Sequence, residues 1–197
     1  MNSKSLNATS FKIAIVDIGF SLLTKDGVVL INECTIHDCY KNTQQTFHIK
    51  CGKKTLESIC HKNQGQLQYN KQHFHQIPIS YGSINHSDFC ALLRQVLSQF
   101  DCILVKGDQK KSVLKNIVQK NTLCVLDFSQ FQCPSIDSLF RLYQNSNAPI
   151  KQSSCLFHNS SFQYCTAYKT QMLHTWLQTR GIEVYRLYRS WMRSRNE

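Results

Sequence analysis

An α/β fold, a mixed β-sheet with helices packed against it, is predicted by three features of this 197-residue chain. Two strand-like runs near the start, FKIAIVDIGFSLL and VVLINECTIHDC, are rich in β-branched and aromatic residues and are separated by KDG, Lys25 to Gly27. A Gly-containing turn between such runs reads as a β-hairpin. From His86 onward, amphipathic helical spacing alternates with short apolar runs. Nothing repeats at a fixed period, which removes a solenoid. A hairpin-led sheet followed by helix and strand alternation implies helices covering a mixed sheet.

The elements follow in chain order. Residues 1–10, MNSKSLNATS, are expected to be a flexible N-terminus, and residues 11–180 one domain. TFHIK, Thr46 to Lys50, is a third strand, while the polar stretch from Cys51 to Ser83 reads as loops and short helical turns. Phe89, Leu92, Leu93, Val96, Leu97 and Phe100 recur at helical spacing, with Ser87 or Asp88 available as the cap. DCILVKG is a short buried strand, followed by a helix around Gln109 to Gln119 and a strand over Thr122 to Phe128. CPSIDSLFRLY carries helical spacing behind a Pro, and a last helix is expected from Thr166 to Thr179. Gly181 punctuates it, leaving 181–197 as a basic, aromatic strand or tail.

Hydrophobic residues make up 42% of the chain and charged residues only 18%, which excludes wholesale disorder. No apolar run approaches a membrane span, and MNSKSLNATS lacks the apolar core of a secretory signal, so an intracellular protein, cytoplasmic or nuclear, with no membrane partner is expected. The ten cysteines lack the dense spacing of a secreted scaffold and are expected to be reduced, with Cys102 and Cys124 as small core residues. The formal charge of +11 points to a polyanion, with RNA or DNA ahead of an anionic membrane surface.

CLFHNSSFQYC, Cys155 to Cys165, places two thiols and an imidazole in one short segment ahead of a helix. Cys155 and His158 have the separation of a chelating turn, and Cys165 can close a site from the helix start. Cys34, His37 and Cys39 form a competing group, Cys60 with His61 another, and the plain alternative is two buried thiols beside a loop histidine.

The order of elements resembles the RNase H-like fold in its DEDDh exonuclease form, a hairpin carrying Asp17, then alternating helices and strands, then a His-containing loop before the last helix. Such exonucleases hold two divalent metals with an Asp-x-Glu pair and further acids. Here Gly19 stands at the Glu position, Asp108 is the single acid among Lys106, Lys110 and Lys111, and Cys165 takes the position of the final metal-binding Asp. A thiolate suits zinc and not magnesium. The chain is more closely similar to the Maelstrom domain, a degenerate DEDDh-like module of the piRNA pathway, over roughly residues 11 to 180. That resemblance implies a zinc ion held by Glu33, Cys155, His158 and Cys165, which is structural because four protein ligands leave no place for an activated water. It also implies single-stranded RNA as ligand, a role in small-RNA or transposon silencing, and protein partners of such a pathway.

Two basic groups are candidates for the RNA contact: Lys106, Lys110, Lys111 and Lys115 with Lys120, and the C-terminal Arg186, Arg189 and Arg193 with Arg195 among Tyr185, Tyr188 and Trp191. The plain alternatives are a solvated lysine face and aromatics packed on the core. Two other functions stay open at this point. One is an active single-stranded RNA nuclease using Asp17, Glu33, Asp108 and Asp127; the other is a protein-interaction scaffold that docks through its C-terminal tail.

Overall fold

Side-chain alternation in the first two strands fixes the layers. The computed structural model describes residues 11–23, 28–52, 57, 59, 61–118, 123–144, 158, 165–178 and 181–194. The expected N-terminal segment, the KDG turn, Cys60, Lys120, Cys155 and Arg195 lie outside these residues. β1 (Ile13–Leu23), β2 (Val28–Asp38) and β3 (Thr43–Lys50) form an antiparallel meander. β4 (Ile84–Asn85) pairs in parallel with β3, and on the other side of β1 the strands β5 (Cys102–Val105) and β6 (Cys124–Asp127) run parallel to it. The result is a six-stranded mixed sheet in the order β4-β3-β2-β1-β5-β6. Helices flank it, as the α/β reading expects: α1 (His61–Asn70), α2 (His86–Leu97), α3 (Asp108–Val118), α4 (Ile136–Gln144), α5 (Thr166–Leu177) and α6 (Gly181–Arg193).

Each face of the sheet has its own core. Ala14, Val16 and Ile18 of β1, with Cys34 and Ile36 of β2, pack under Phe89, Leu93 and Leu97 of α2 and Leu114 of α3. On the opposite face Ile15, Leu104 and Leu126 meet Met172 and Leu173 of α5, Leu139 of α4 and Val184 of α6. Every residue of β5 and β6 is buried, which explains why these strands read as uninterrupted apolar runs. Cys102 and Cys124 are register partners in those strands and belong to the core, as expected for small apolar residues.

A bulge divides the hairpin. Gly19 pairs with Glu33 and Phe20 with Ile31, so Asn32 is one extra residue on β2. Glu33, Thr35 and His37 face α5 on one side of the bulge, whereas Ile31 on the other side belongs to the core under α2 and α3. The β2–β3 connection is held by Asp38, whose Oδ1 accepts from the backbone N–H groups of Tyr40 and Lys41 at 3.0 Å each, and Asn42 closes it at φ 52°.

Two expectations are corrected. Residues 181–193 form neither strand nor tail but the helix α6. Its inner side is set by Val184, Tyr188 and Trp191 at the i, i+4, i+7 spacing of a helix, and Phe11 packs on it with ring centroids 5.5 Å from Tyr185 and 4.4 Å from Tyr188. The stretch before β4 contains a full ten-residue helix, α1, which continues into one wide π-turn over Lys71–His75. Leu67 and Tyr69 are too few to set up a helical period there.

Gly82 holds the end of the meander in place. Its φ is +144°, and a Cβ would lie 2.6 Å from both the carbonyl oxygen of His48 and the amide nitrogen of Lys50. Both obstacles are backbone, so neither can move aside. Gly82→Ala is expected to lower stability by about 1–3 kcal/mol, read from the midpoint of denaturant unfolding.

Candidate metal centre

Helix α5 sits on the sheet through a polar seam. Thr166 and Thr170, one turn apart, are fully buried, an unusual use of threonine that the sheet explains. Thr35 Oγ1 lies 2.6 Å from Thr166 Oγ1 and 2.9 Å from Thr46 Oγ1, while Gln44 Nε2 donates to the Ala167 carbonyl at 2.7 Å and to Thr170 Oγ1 at 2.8 Å. Because each buried polar atom must find a partner, this seam fixes which residues of α5 meet which strands.

Glu33 is the centre of that seam. It is 2% exposed, and its Oε2 accepts from the backbone N–H of Thr166 at 3.0 Å, 133 residues away in sequence. Its Oε1 lies 3.4 Å from Nε2 of His48, its register partner on β3. Burial pushes the Glu33 carboxyl up, but hydrogen bonds from His48 and Thr166 and the charge of His158 outweigh it, so the group stays below its ordinary value and ionised. The positive end of α5 favours an anion at this point.

Cys165 is the N-cap residue of α5, and its side chain makes no capping hydrogen bond. His158 and Cys165 are both fully buried. Ligand atoms of Glu33, His158 and Cys165 all lie within 4.8 Å of one another, the single group of three or more such donors among the described residues. A carboxylate oxygen, an imidazole nitrogen and a thiolate sulfur at these separations can hold a metal ion. Three of the four expected ligands therefore converge; the fourth, Cys155, lies outside the described residues.

The competing ligands go elsewhere. Cys34 points into the core under α2 and α3, where burial, then the charges of Asp17 and Glu33, push its thiol well up. The Cys39 thiol is pushed up to about 12, by burial first and by Asp38 next. His37 packs against His174 of α5, with ring centroids 4.2 Å apart and the rings tilted by 39°.

Asp17, two residues from Gly19 on the same face, is fully buried and already paired. Lys110 of α3 forms an ion pair with Oδ1, and Lys169 of α5 lies 3.9 Å from Oδ2. Burial pushes the Lys169 ammonium down, with Asp17 opposing. The other acids do not join Asp17 among the described residues. Asp127 accepts from the backbone and hydroxyl of Ser129 at 2.6 Å each and from Gly107 N–H at 2.8 Å, and Asp108 stands exposed in the first turn of α3. The four acids considered for a nuclease thus form no shared site among the described residues.

Lys169 and His48 were not singled out from the sequence. Lys169 falls one turn after Cys165 on α5, and His48 stands opposite Glu33 across the β2–β3 register; both signals appear only once the elements are paired.

No protein-family model matches this chain, and no curated protein matches it.

The basic residues divide between two surfaces. α3 packs on one face of the sheet and α6 on the other. Lys110 is held by Asp17, and Lys106 Nζ donates to the Cys133 carbonyl at 2.7 Å, so both are tied into the fold; Lys111 is half-buried and Lys115 exposed. Arg186, Arg189 and Arg193 are exposed and share one helical side of α6, opposite Val184, Tyr188 and Trp191. Tyr188 and Trp191 therefore serve the core, while Tyr185 is exposed. Among the described residues no helix is long and apolar enough to cross a membrane.

His37 supplies a pH test. Burial, then the charge of His174, pushes its imidazole from 6.5 down to about 4, so the folded state keeps it neutral where the unfolded chain takes up a proton. Its contribution is fully present above pH 6.5 and is lost as pH falls toward about 4. Stability is expected to drop by up to about 3 kcal/mol across that window, and His37→Phe is expected to flatten the slope in urea titrations at several pH values.

Proposed function

We propose that this chain is a catalytically degenerate, RNase H-like domain of the Maelstrom type, with a structural zinc ion and single-stranded RNA as its ligand. The observation that carries this reading is the convergence of Glu33, His158 and Cys165 from distant parts of the chain. One carboxylate, one imidazole and one thiolate suit zinc better than magnesium. Cys155, three residues before His158, is the proposed fourth ligand. The ion would join β2 to the start of α5 and make metal binding part of folding.

Two further features support the reading. The antiparallel meander β3-β2-β1, continued on one side by the parallel strands β5 and β6, supports an RNase H-like reading. Lys110 and Lys169 neutralise Asp17, the carboxylate that a two-metal nuclease would need open. The RNA surface is assigned first to Arg186, Arg189 and Arg193, whose planar guanidinium groups suit phosphate oxygens. Lys111 and Lys115 form a second basic surface on the opposite face. Action in piRNA-type or transposon silencing, and partners from such a pathway, follow from the resemblance.

Elemental analysis of the purified chain tests the metal: about one zinc per chain is expected, as for a four-ligand structural site. Cys165→Ser and His158→Ala are each expected to lose it together with several degrees of melting temperature, and a zinc-free wild type would remove the reading.

RNA binding is tested by fluorescence anisotropy across salt concentrations. Affinity is expected to fall steeply with salt, and changing Arg186, Arg189 and Arg193 to Gln is expected to reduce the log–log slope by about 2. Zinc content should be unchanged in that variant. No binding to any single strand at low salt would sink the RNA reading.

A further inference from the structure

Beyond the bulge, the same face of the sheet holds a cavity of about 260 Å³ between β1, β2 and the α1 segment. Ile59, Leu67, Ile77 and Ile79 give it apolar walls. Ser21, Asn32, Gln64 and Gln68 place a hydroxyl and three amides around it, and among the described residues Lys71 is its single charged lining residue. The bulge itself puts Asn32 there, since the extra residue has no register partner. Asn32 is 3% exposed, and its Oδ1 accepts no hydrogen bond among the described residues. Buried amide oxygens are nearly always partnered, so this one marks a place where a donor belongs. Lys71 also opens the π-turn, a wide helical turn that occurs frequently at functional sites.

The lining selects a ligand class. Amides offer donors and acceptors side by side and so match the edge of a neutral heterocycle, while the aliphatic walls suit its flat faces. A lone lysine without an acid favours an attached anion over a cation. The volume lies below the roughly 300–1,000 Å³ of drug-sized sites, which fits one ring system rather than a dinucleotide or a lipid chain.

We propose that this cavity binds a single nucleobase, with its phosphate toward Lys71. An unpaired base of an RNA strand and a free mononucleotide present the same chemistry. As an RNA subsite the cavity rests on the RNA-binding reading; as a mononucleotide site it stands without it.

The test is titration of AMP, GMP, CMP and UMP onto the full chain by NMR, with ribose 5-phosphate as the base-free control. Saturable binding of at least one nucleotide, and none of the control, is expected. Gln68→Leu alters an exposed position of α1, Gln64→Leu also removes the hydrogen bond from its Nε2 to the Ile59 carbonyl at 3.1 Å, and Asn32→Leu removes the buried amide. Each is expected to weaken binding by about tenfold or more, the loss that follows from one or two neutral hydrogen bonds. In a parallel arm the same variants are measured against single-stranded RNA and the same strand with abasic sites. Weaker RNA binding in the variants, matched by the abasic strand, identifies an RNA base as the occupant. Nucleotide binding that the variants weaken, with RNA affinity unmoved or RNA binding absent, identifies a mononucleotide site. No nucleotide binding together with RNA affinity indifferent to all three variants overturns the proposal while leaving the arginine surface of α6 to be judged on its own. Nucleotide binding that none of the variants changes overturns it equally.

Discussion

A buried carboxylate at the start of α5 organises this molecule. Glu33 cannot sit ionised between a sheet and a helix unless its charge is answered there, because burial of an unpaired charge costs several kcal/mol. The answer comes from the first backbone N–H of α5, from His48 on the neighbouring strand and from His158. Once that N–H is committed, the position of α5 on the sheet is set. Cys165 then falls beside Glu33, Lys169 reaches Asp17, and Thr166 and Thr170 meet the hydroxyl and amide groups of Thr35 and Gln44. Apolar burial under α5 supplies most of the attraction, but it is non-directional. The polar contacts choose among the orientations that would bury similar area.

Two buried acids on one sheet face are neutralised by different means. Asp17 is paired with the ammonium groups of Lys110 and Lys169, both part of the chain, whereas Glu33 faces an imidazole, a helix end and a thiol. The first arrangement is answered by the chain's own cations, with Oδ2 facing Lys169 at 3.9 Å. The second brings together donors that could hold a metal ion, and this asymmetry separates a carboxylate that finishes a fold from one placed among metal-binding side chains.

Much of the sheet was legible because β-branched runs, alternation and helical spacing are local signals: β1, β2, α2, α3 and α5 lie close to their expected places. Cys155, His158 and Cys165 were legible from their spacing, but Glu33 came from family resemblance, since it and its partner Thr166 are 133 residues apart and only the fold brings them together. Charge was the poorest guide. Lys110 and Lys115 look alike in sequence, yet one answers a buried acid 93 residues away and the other faces water. In α6 the β-branched and aromatic content of IEVYRLY suggests a strand, while the spacing of Val184, Tyr188 and Trp191 obeys a helix; burial against Phe11 and the adjoining core decided for the spacing. Of the aromatics named there as stacking surfaces for bases, Tyr188 and Trp191 pack on the core, whereas Tyr185 faces outward with the arginines.

The single-residue bulge at Asn32 sets the parity of β2. On the Glu33 side, odd-numbered residues look toward α5; past the bulge, Leu30 shares a face with Ser21 and Ile31 looks the other way. A strand without the extra residue would have one phase along its whole length, so that a polar stripe matched to α5 would force Ile31 out of the opposite core. The bulge acts as a phase shifter. It lets one continuous strand serve an ionic seam at one end and an apolar interior at the other, and evolution can retune either half by substitution while a one-residue insertion or deletion here would exchange the two faces.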